Sequence, residues 1–181
     1  NYWYGPNEYG ELGTRYFLQD GIGIAAGLHE LFRNSDLYFM ANYAQTVNVI
    51  GAIKTTATAA EMEATGLALA LYRRHFGTLP LRVEGAPSPL DVAAAWTADH
   101  SALTVAVVNP TGEARRLRLD LAGAGVTGAA RRFVLTGADR RAHNAPGRSR
   151  GVRVDETSLT RAGDRLEVPP LPVTLHVLPA R

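Results

Sequence analysis

The sequence predicts the last segments of an α/β domain followed by an antiparallel β-sandwich. In the first part, two stretches carry apolar residues three or four apart, which is typical of helices that pack on a sheet. From Leu81 onward, apolar residues instead alternate with polar ones in short stretches that are separated by polar turns. Several short strands of this kind indicate a sandwich. Gly and Pro are frequent between residues 77 and 89, so we place the two domains at residues 1–78 and 79–181.

Two helices and one strand are predicted in the first part. Residues 14–33 form an apolar stripe that Thr14 can cap, and three glycines within it suggest close packing on a sheet. His29, in the last turn, is expected on the surface. Residues 58–76 follow a capping box formed by Thr58 and Glu61. Between these helices, the apolar run Leu37–Ala41 predicts a short buried strand.

A polar loop follows this predicted strand and contains Asn42, Tyr43, Gln45 and Asn48. In barrels and open α/β sheets, ligands bind just beyond the carboxyl ends of strands. The loop is therefore a candidate binding site. The alternative is an ordinary loop whose amide side chains bond to the backbone.

The second part contains seven predicted strands and one long polar loop. His143 and Asn144 in the loop, residues 139–150, could bind a ligand, but a surface loop that is held by local hydrogen bonds is the favoured interpretation. The strands are Asp91–Trp96, Leu103–Asn109, Arg116–Leu121, Arg131–Thr136, Val152–Asp155, Arg165–Val168 and Val173–Leu178.

The composition excludes several classes of function. The chain has 181 residues, a net charge of +2 and no cysteine, so neither disulfides nor thiolate metal sites can form. Its arginines are scattered among apolar residues, whereas nucleic-acid binding needs a clustered basic surface. No apolar run approaches the roughly 20 residues of a membrane span. No metal-ligand spacing or cofactor motif occurs, so we expect neither a metal nor a cofactor.

The first thirteen residues are rich in aromatic side chains and turn residues. Flat aromatic faces with polar edges suit sugar rings, and packing against the next helix would explain them equally well. The chain starts within this segment and without an initiator methionine, so we expect it to be part of a longer polypeptide.

Several stretches resemble glycoside hydrolase family 51, the α-L-arabinofuranosidases. Asn1-Tyr2-Trp3-Tyr4 is similar to the continuation of the family's Asp-Glu-Trp-Asn motif. Residues 40–50 resemble its Ala-Asn-x-Ala-Gln-x-Val-Asn-Val-Ile segment, which is the most specific match. Residues 63–77 are similar to its last barrel helix, and residues 168–178 to its final sandwich strand.

The resemblance implies a (β/α)8 barrel with an appended β-sandwich. It makes residues 37–41 the eighth barrel strand and residues 58–76 the final barrel helix. It also implies hydrolysis of terminal arabinofuranosides with retention, by two glutamates roughly 5 Å apart. Neither glutamate is in this chain, because the matching motif is present only from its Asn onward. No catalytic residue is therefore assigned, and the chain alone is expected to be inactive.

Two residues match the family's substrate site. By resemblance, Trp3 lines the arabinose pocket and Gln45 hydrogen-bonds a sugar hydroxyl. The implied partner is an arabinofuranosyl-containing carbohydrate, without nucleic acid or membrane, and a homo-oligomer is compatible with this. The compartment stays open, with an intracellular location favoured over secretion. Two alternatives remain: a non-catalytic carbohydrate-binding or structural sandwich module, and a related barrel-plus-sandwich glycosidase with another sugar preference.

Overall fold

The structure is a computed structural model that describes residues 9–10, 13–121, 123, 125–161 and 163–180. The first part contains two helices and a short hairpin, and the second part contains strands alone. The elements are α1 (Leu18–Arg33), β1 (Ile53–Thr55), β2 (Ala60–Met62), α2 (Ala64–His75), β3 (Leu79–Leu81), β4 (Asp91–Trp96), β5 (Ala102–Val108), β6 (Arg115–Arg118), β7 (Ala130–Gly137), β8 (Val152–Leu159), β9 (Arg165–Val168) and β10 (Val173–Pro179).

A six-stranded antiparallel sheet organises the molecule, with strand order β3-β4-β5-β10-β7-β8. The antiparallel pair β6–β9 forms a second, smaller sheet. The predicted sandwich is therefore confirmed. Each of the seven predicted strands corresponds to an observed strand, with ends that differ by up to four residues.

The strand β5 contributes to both hydrophobic cores of the molecule. All seven of its residues are buried. Leu103, Val105 and Val107 belong to the core between the large sheet and the β6–β9 pair. Ala106 and Val108 belong to the core between the sheet and the two helices. Successive side chains of a strand point to opposite faces, so one apolar strand serves two cores.

The helix α1 begins at Leu18, not at the predicted Thr14 cap. The Asp20 carboxylate accepts a hydrogen bond from the Phe17 backbone N–H at 2.7 Å, which occupies one donor that the helix leaves unpaired. One of the three glycines explains the close packing that the sequence suggests. A Cβ atom at Gly21 would lie 2.8 Å from the carbonyl oxygen of Ala64, so only glycine allows α1 and α2 to approach this closely.

The predicted buried strand Leu37–Ala41 is wrong. These residues form a turn and irregular chain, and the exposed fraction reaches 76% for Leu37 and 98% for Phe39. A strand needs a neighbour for its backbone N–H and C=O groups. None of the described residues forms a ladder with this segment.

The predicted capping box is also wrong. Thr58 lies in the turn of the β1–β2 hairpin and Glu61 lies in β2, so the helix begins only at Ala64. The capping-box pattern depends only on residues three positions apart, so it carries no information about pairing between strands. The hairpin is favoured here by backbone pairing of Lys54 with Glu61 across its two strands.

Candidate functional site

Gln45 lies on the loop that leads from the exposed segment 37–41 to β1. Its side chain is exposed and makes no hydrogen bond to the part of the chain that the structure describes. An amide in this position offers both a donor and an acceptor to a ligand. The other predicted site residue, Trp3, lies outside the described residues.

The rest of the loop is bonded to the chain behind it. Asn48 donates from Nδ2 to Thr55 Oγ1 at 2.9 Å, and its Oδ1 accepts from the Thr55 backbone N–H at 2.9 Å. The Tyr43 hydroxyl donates to Thr65 Oγ1 on α2 at 3.1 Å. For Asn48, the interpretation as an ordinary loop residue is therefore correct. Gln45 differs because its side chain is left available.

A buried ion pair lies behind the loop. The Lys54 side chain is 0% exposed, and its Nζ donates to the carbonyl oxygens of Val49 at 3.0 Å and Gly51 at 2.9 Å. Nζ also lies 3.5 Å from Oε2 of Glu63, which is 1% exposed. The other carboxylate oxygen of Glu63 accepts from the Tyr16 backbone N–H at 3.2 Å.

Burial shifts the pKa values of both members of this pair. Burial raises the pKa of Glu63 to about 7, although the positive charge of Lys54 opposes the rise. Burial likewise lowers the pKa of Lys54, against the attraction of Glu63. The rings of Tyr9 and Tyr16 have their centroids 5.4 and 5.2 Å from Nζ, so their electron-rich faces help to offset its lost hydration.

The pair was not predicted from the sequence, although one signal pointed to it. Lys54 is the chain's single lysine, and it follows an apolar stretch that contains Val49, Ile50 and Ile53. Glu63 was placed within the predicted helix, where its contact with Lys54 could not be foreseen. The hairpin that brings the two together was not predicted.

His29 is buried, so its predicted surface position is wrong. Its Nε2 lies 2.5 Å from the Tyr72 hydroxyl on α2, and its Nδ1 lies 3.2 Å from Oδ1 of Asp91 at the start of β4. Arg33 also donates to Asp91, at 2.7 Å. His29 falls four residues after Ala25, on the buried face of α1, and this spacing was the missed signal.

Asp91 carries the negative charge of this group. Burial acts to raise the pKa of Asp91, but the His29 ring and the Arg33 guanidinium outweigh it and hold the pKa well below its usual range. The contacts join α1, α2 and β4. Because His29 and Tyr72 are buried, we interpret the group as structural.

The loop of residues 139–150 is partly inserted into the fold. Asn144 is buried, and its Nδ2 donates to the carbonyl oxygens of Met62 at 3.0 Å and Val152 at 2.9 Å, while its Oδ1 accepts from the Val152 N–H at 2.8 Å. Its polar atoms are thus used to join the loop to the β1–β2 hairpin and to β8. His143 lies against the Phe17 ring in an edge-on arrangement. Neither residue forms a site with Gln45.

The described residues contain neither a candidate metal site nor a candidate membrane-spanning helix. They contain no group of three or more His, Asp or Glu side chains that could hold a metal ion. None of the helices in the same ranges has the length and apolar character needed to cross a membrane.

The fold is that of an antiparallel β-sandwich domain with two helices packed on one face of the larger sheet. The chain belongs to the α-L-arabinofuranosidase C-terminal domain family, whose model matches residues 1–171. A comparison with curated protein sequences gives no significant match.

Solved structures support the family assignment. The chain is similar to an α-L-arabinofuranosidase from Thermotoga maritima in complex with arabinose, with a TM-score of 0.84 and 25% identity over 98% of this chain. It is also similar to the thermostable GH51 α-L-arabinofuranosidase from Thermotoga petrophila RKU-1, with a TM-score of 0.78 and 27% identity over 97% of this chain. In both cases this chain covers 41% of the relative.

A more distant structure is similar to this chain in fold alone. A glycoside hydrolase family 44 xyloglucanase from Paenibacillus polymyxa has a TM-score of 0.62 and 20% identity over 90% of this chain. Glycosidases with different named activities therefore share this architecture.

Proposed function

We propose that the chain is the carboxy-terminal part of a retaining α-L-arabinofuranosidase. The complete enzyme would hydrolyse terminal α-L-arabinofuranosyl residues from arabinose-containing polysaccharides or oligosaccharides. The observation that carries the proposal is the family match over residues 1–171, joined to the structural match with an arabinose-bound relative. In this proposal, residues 1–78 are the end of a (β/α)8 barrel and residues 79–181 are the sandwich.

The exposed segment Leu37–Met40 supports the barrel assignment. Leu37, Tyr38, Phe39 and Met40 are each more than half exposed, and large contiguous apolar surfaces are unusual on a complete soluble domain. The remaining barrel strands would cover these side chains and pair with their backbone. Residues 37–41 would then become a strand only in the complete enzyme.

Gln45 and Trp3 are the proposed substrate-binding residues. The Gln45 amide would hydrogen-bond a hydroxyl of arabinose, and Trp3 would line the pocket of that sugar. The two catalytic carboxylates would come from the rest of the polypeptide. They would act as nucleophile and as acid/base at a separation of about 5 Å, which is the geometry of retaining glycosidases.

The test compares the full-length protein with residues 1–181 on an aryl α-L-arabinofuranoside. We expect turnover by the full-length protein, no turnover by residues 1–181, and release of arabinose with the α-configuration in the first product detected by NMR. Release of the β-anomer first would contradict the retaining mechanism. Turnover by residues 1–181 would contradict the assignment of the catalytic carboxylates to another part of the polypeptide.

Three further results would separate the alternatives. The coding sequence before Asn1 should encode Asp-Glu-Trp in frame. Measurable affinity of residues 1–181 for arabinan oligosaccharides, in a gene product without that motif, would favour a carbohydrate-binding module. Turnover of another glycoside, with none of arabinofuranosides, would favour the related glycosidase with a different sugar preference.

A further inference from the structure

We propose that Lys54 is a positioning residue for Gln45, and that Glu63 holds Lys54 in place for this task. The inference rests on the proposed function, because it concerns the placement of the proposed sugar-binding amide. It goes further in assigning a role to two buried residues that do not themselves contact substrate.

The backbone of Gln45 is held by hydrogen bonds to the chain that follows it. The Gln45 carbonyl oxygen accepts from the Ala52 N–H at 3.3 Å, and the Thr46 carbonyl oxygen accepts from the Ile53 N–H at 3.1 Å. The chain thus turns back on itself after Gln45 and lies beside its own earlier segment. The position of Gln45 therefore depends on where residues 49–53 lie.

This turn is hydrogen-bonded to the Lys54 side chain. The two carbonyl oxygens that Lys54 binds, those of Val49 and Gly51, lie inside the turn. An ammonium group has three hydrogens, and the third can point to the Glu63 carboxylate. Lys54 therefore hydrogen-bonds two oxygens of the turn and forms an ion pair with the Glu63 carboxylate, which immediately precedes α2.

Glu63 hydrogen-bonds to the same turn through its own backbone. Its N–H donates to the Ala52 carbonyl oxygen at 2.9 Å, next to the N–H that binds Gln45. The turn is also tightly closed, because a Cβ atom on Gly51 would lie 2.7 Å from the backbone of Val47. A shift of Lys54 or Glu63 would therefore move the backbone that supports Gln45.

A buried ion pair is not in itself a device for stability. The cost of removing two charges from water often cancels their attraction, and an apolar pair of similar volume is frequently as stable. An apolar pair could not bind the two carbonyl oxygens of the turn, however. The chemistry of Lys54 is thus matched to fixing the loop.

The test is a double-mutant cycle on kcat/KM of the full-length protein with an aryl α-L-arabinofuranoside. The cycle uses Lys54→Met, Gln45→Ala and the two changes together. We expect Lys54→Met alone to lower kcat/KM by about 10- to 100-fold, since a misplacement near 1 Å at a site can cost that much. In the Gln45→Ala background, the same change should cost about 2-fold or less, because residues that act through one another are not additive.

Asn109→Ala is the matched control. Asn109 is buried in the sandwich and its side chain makes several hydrogen bonds, so its loss lowers stability without touching the loop. We expect it to change kcat/KM by about 2-fold or less in both backgrounds. A loss of kcat/KM equal to that of Lys54→Met would show that lost stability alone is sufficient and would overturn the proposal.

The remaining outcomes separate the two proposals. If Gln45→Ala leaves kcat/KM unchanged, the proposed sugar contact fails and the positioning role fails with it. If Gln45→Ala lowers kcat/KM but the two changes are additive, the positioning role alone is overturned. If Lys54→Met does not fold, Glu63→Gln takes its place in the cycle with the same non-additive result expected.

Discussion

His176 should make the sandwich less stable in acid. It lies in β10 on the face of the sheet that meets β6 and β9, and it is 1% exposed. Neither ring nitrogen has a hydrogen-bond partner in the described part of the chain. Burial lowers the pKa of His176 to about 4, and the charge of Arg132 on the neighbouring strand β7 adds to this, while the backbone of Glu167 on β9 opposes it weakly.

The sign follows from proton binding in the two states. The unfolded chain takes up a proton on this histidine below a pKa of 6.5, whereas the folded chain does so only near 4. The unfolded state thus binds more protons between these values, and the free energy of unfolding falls as the pH decreases from 6.5 to 4. The full loss is about 3 kcal/mol, of which about 2 kcal/mol has occurred by pH 5.

The assay is hydrogen-exchange protection of the β10 amides in the full-length protein, corrected for the intrinsic exchange rate at each pH. His176→Leu removes the titrating ring with similar volume. Between pH 7 and 5, wild type should lose about 2 kcal/mol more protection than this variant. Thr174→Val is the control, since it removes a buried hydroxyl without a partner in the described chain from the same strand and face and should retain the wild-type pH dependence. Equal pH dependence of wild type and His176→Leu would refute the reasoning.

Four further predictions concern the site and the helices. Gln45→Ala in the full-length protein should lower kcat/KM by the equivalent of about 1–3 kcal/mol in steady-state kinetics, and no change would remove Gln45 from the site. Tyr72→Phe should leave the buried Nε2 of His29 unpaired and cost about 1–3 kcal/mol in urea unfolding, so an unchanged midpoint would contradict the structural role of this contact. Gly21→Ala should destabilise by about 1–3 kcal/mol because its Cβ meets the α2 backbone. A Cβ atom at Gly23 would have no neighbour within 4 Å, so Gly23→Ala should raise the free energy of unfolding by about 0.5–1 kcal/mol. Urea unfolding checks both glycine substitutions.

The sandwich could be predicted from sequence because its signal is local. Alternation of apolar and polar residues identifies strands such as Arg165–Val168 without knowledge of their partners. The segment Leu37–Ala41 failed for the opposite reason, since an apolar run specifies a strand only when another strand is present to pair with it. Thr58 and Glu61 matched a capping box, and backbone pairing across the hairpin overrode that local preference.

Of the candidate site, Gln45 was predicted from the sequence, but the buried residues behind its loop were not. The Gln45 amide could be selected only by its resemblance to a family segment, because an exposed glutamine has no pattern of its own. Lys54 and Glu63 could not be placed together, since their contact depends on a hairpin whose second strand lies within the predicted helix of residues 58–76.

The loop of residues 42–52 has an inner side that is bonded to the rest of the chain and an outer side that is exposed. Its inner side is bound to Lys54, Thr55 and Thr65, so its backbone geometry is set by this chain. Its outer side presents Gln45, five residues after the end of the exposed apolar segment Leu37–Met40. A single amide cannot enclose a sugar, since binding sites for small ligands are concave and largely apolar. The proposed function therefore requires the chain to supply a fixed hydrogen-bonding group and the Trp3 side chain, while the rest of the polypeptide supplies the other walls of the pocket and the catalytic carboxylates.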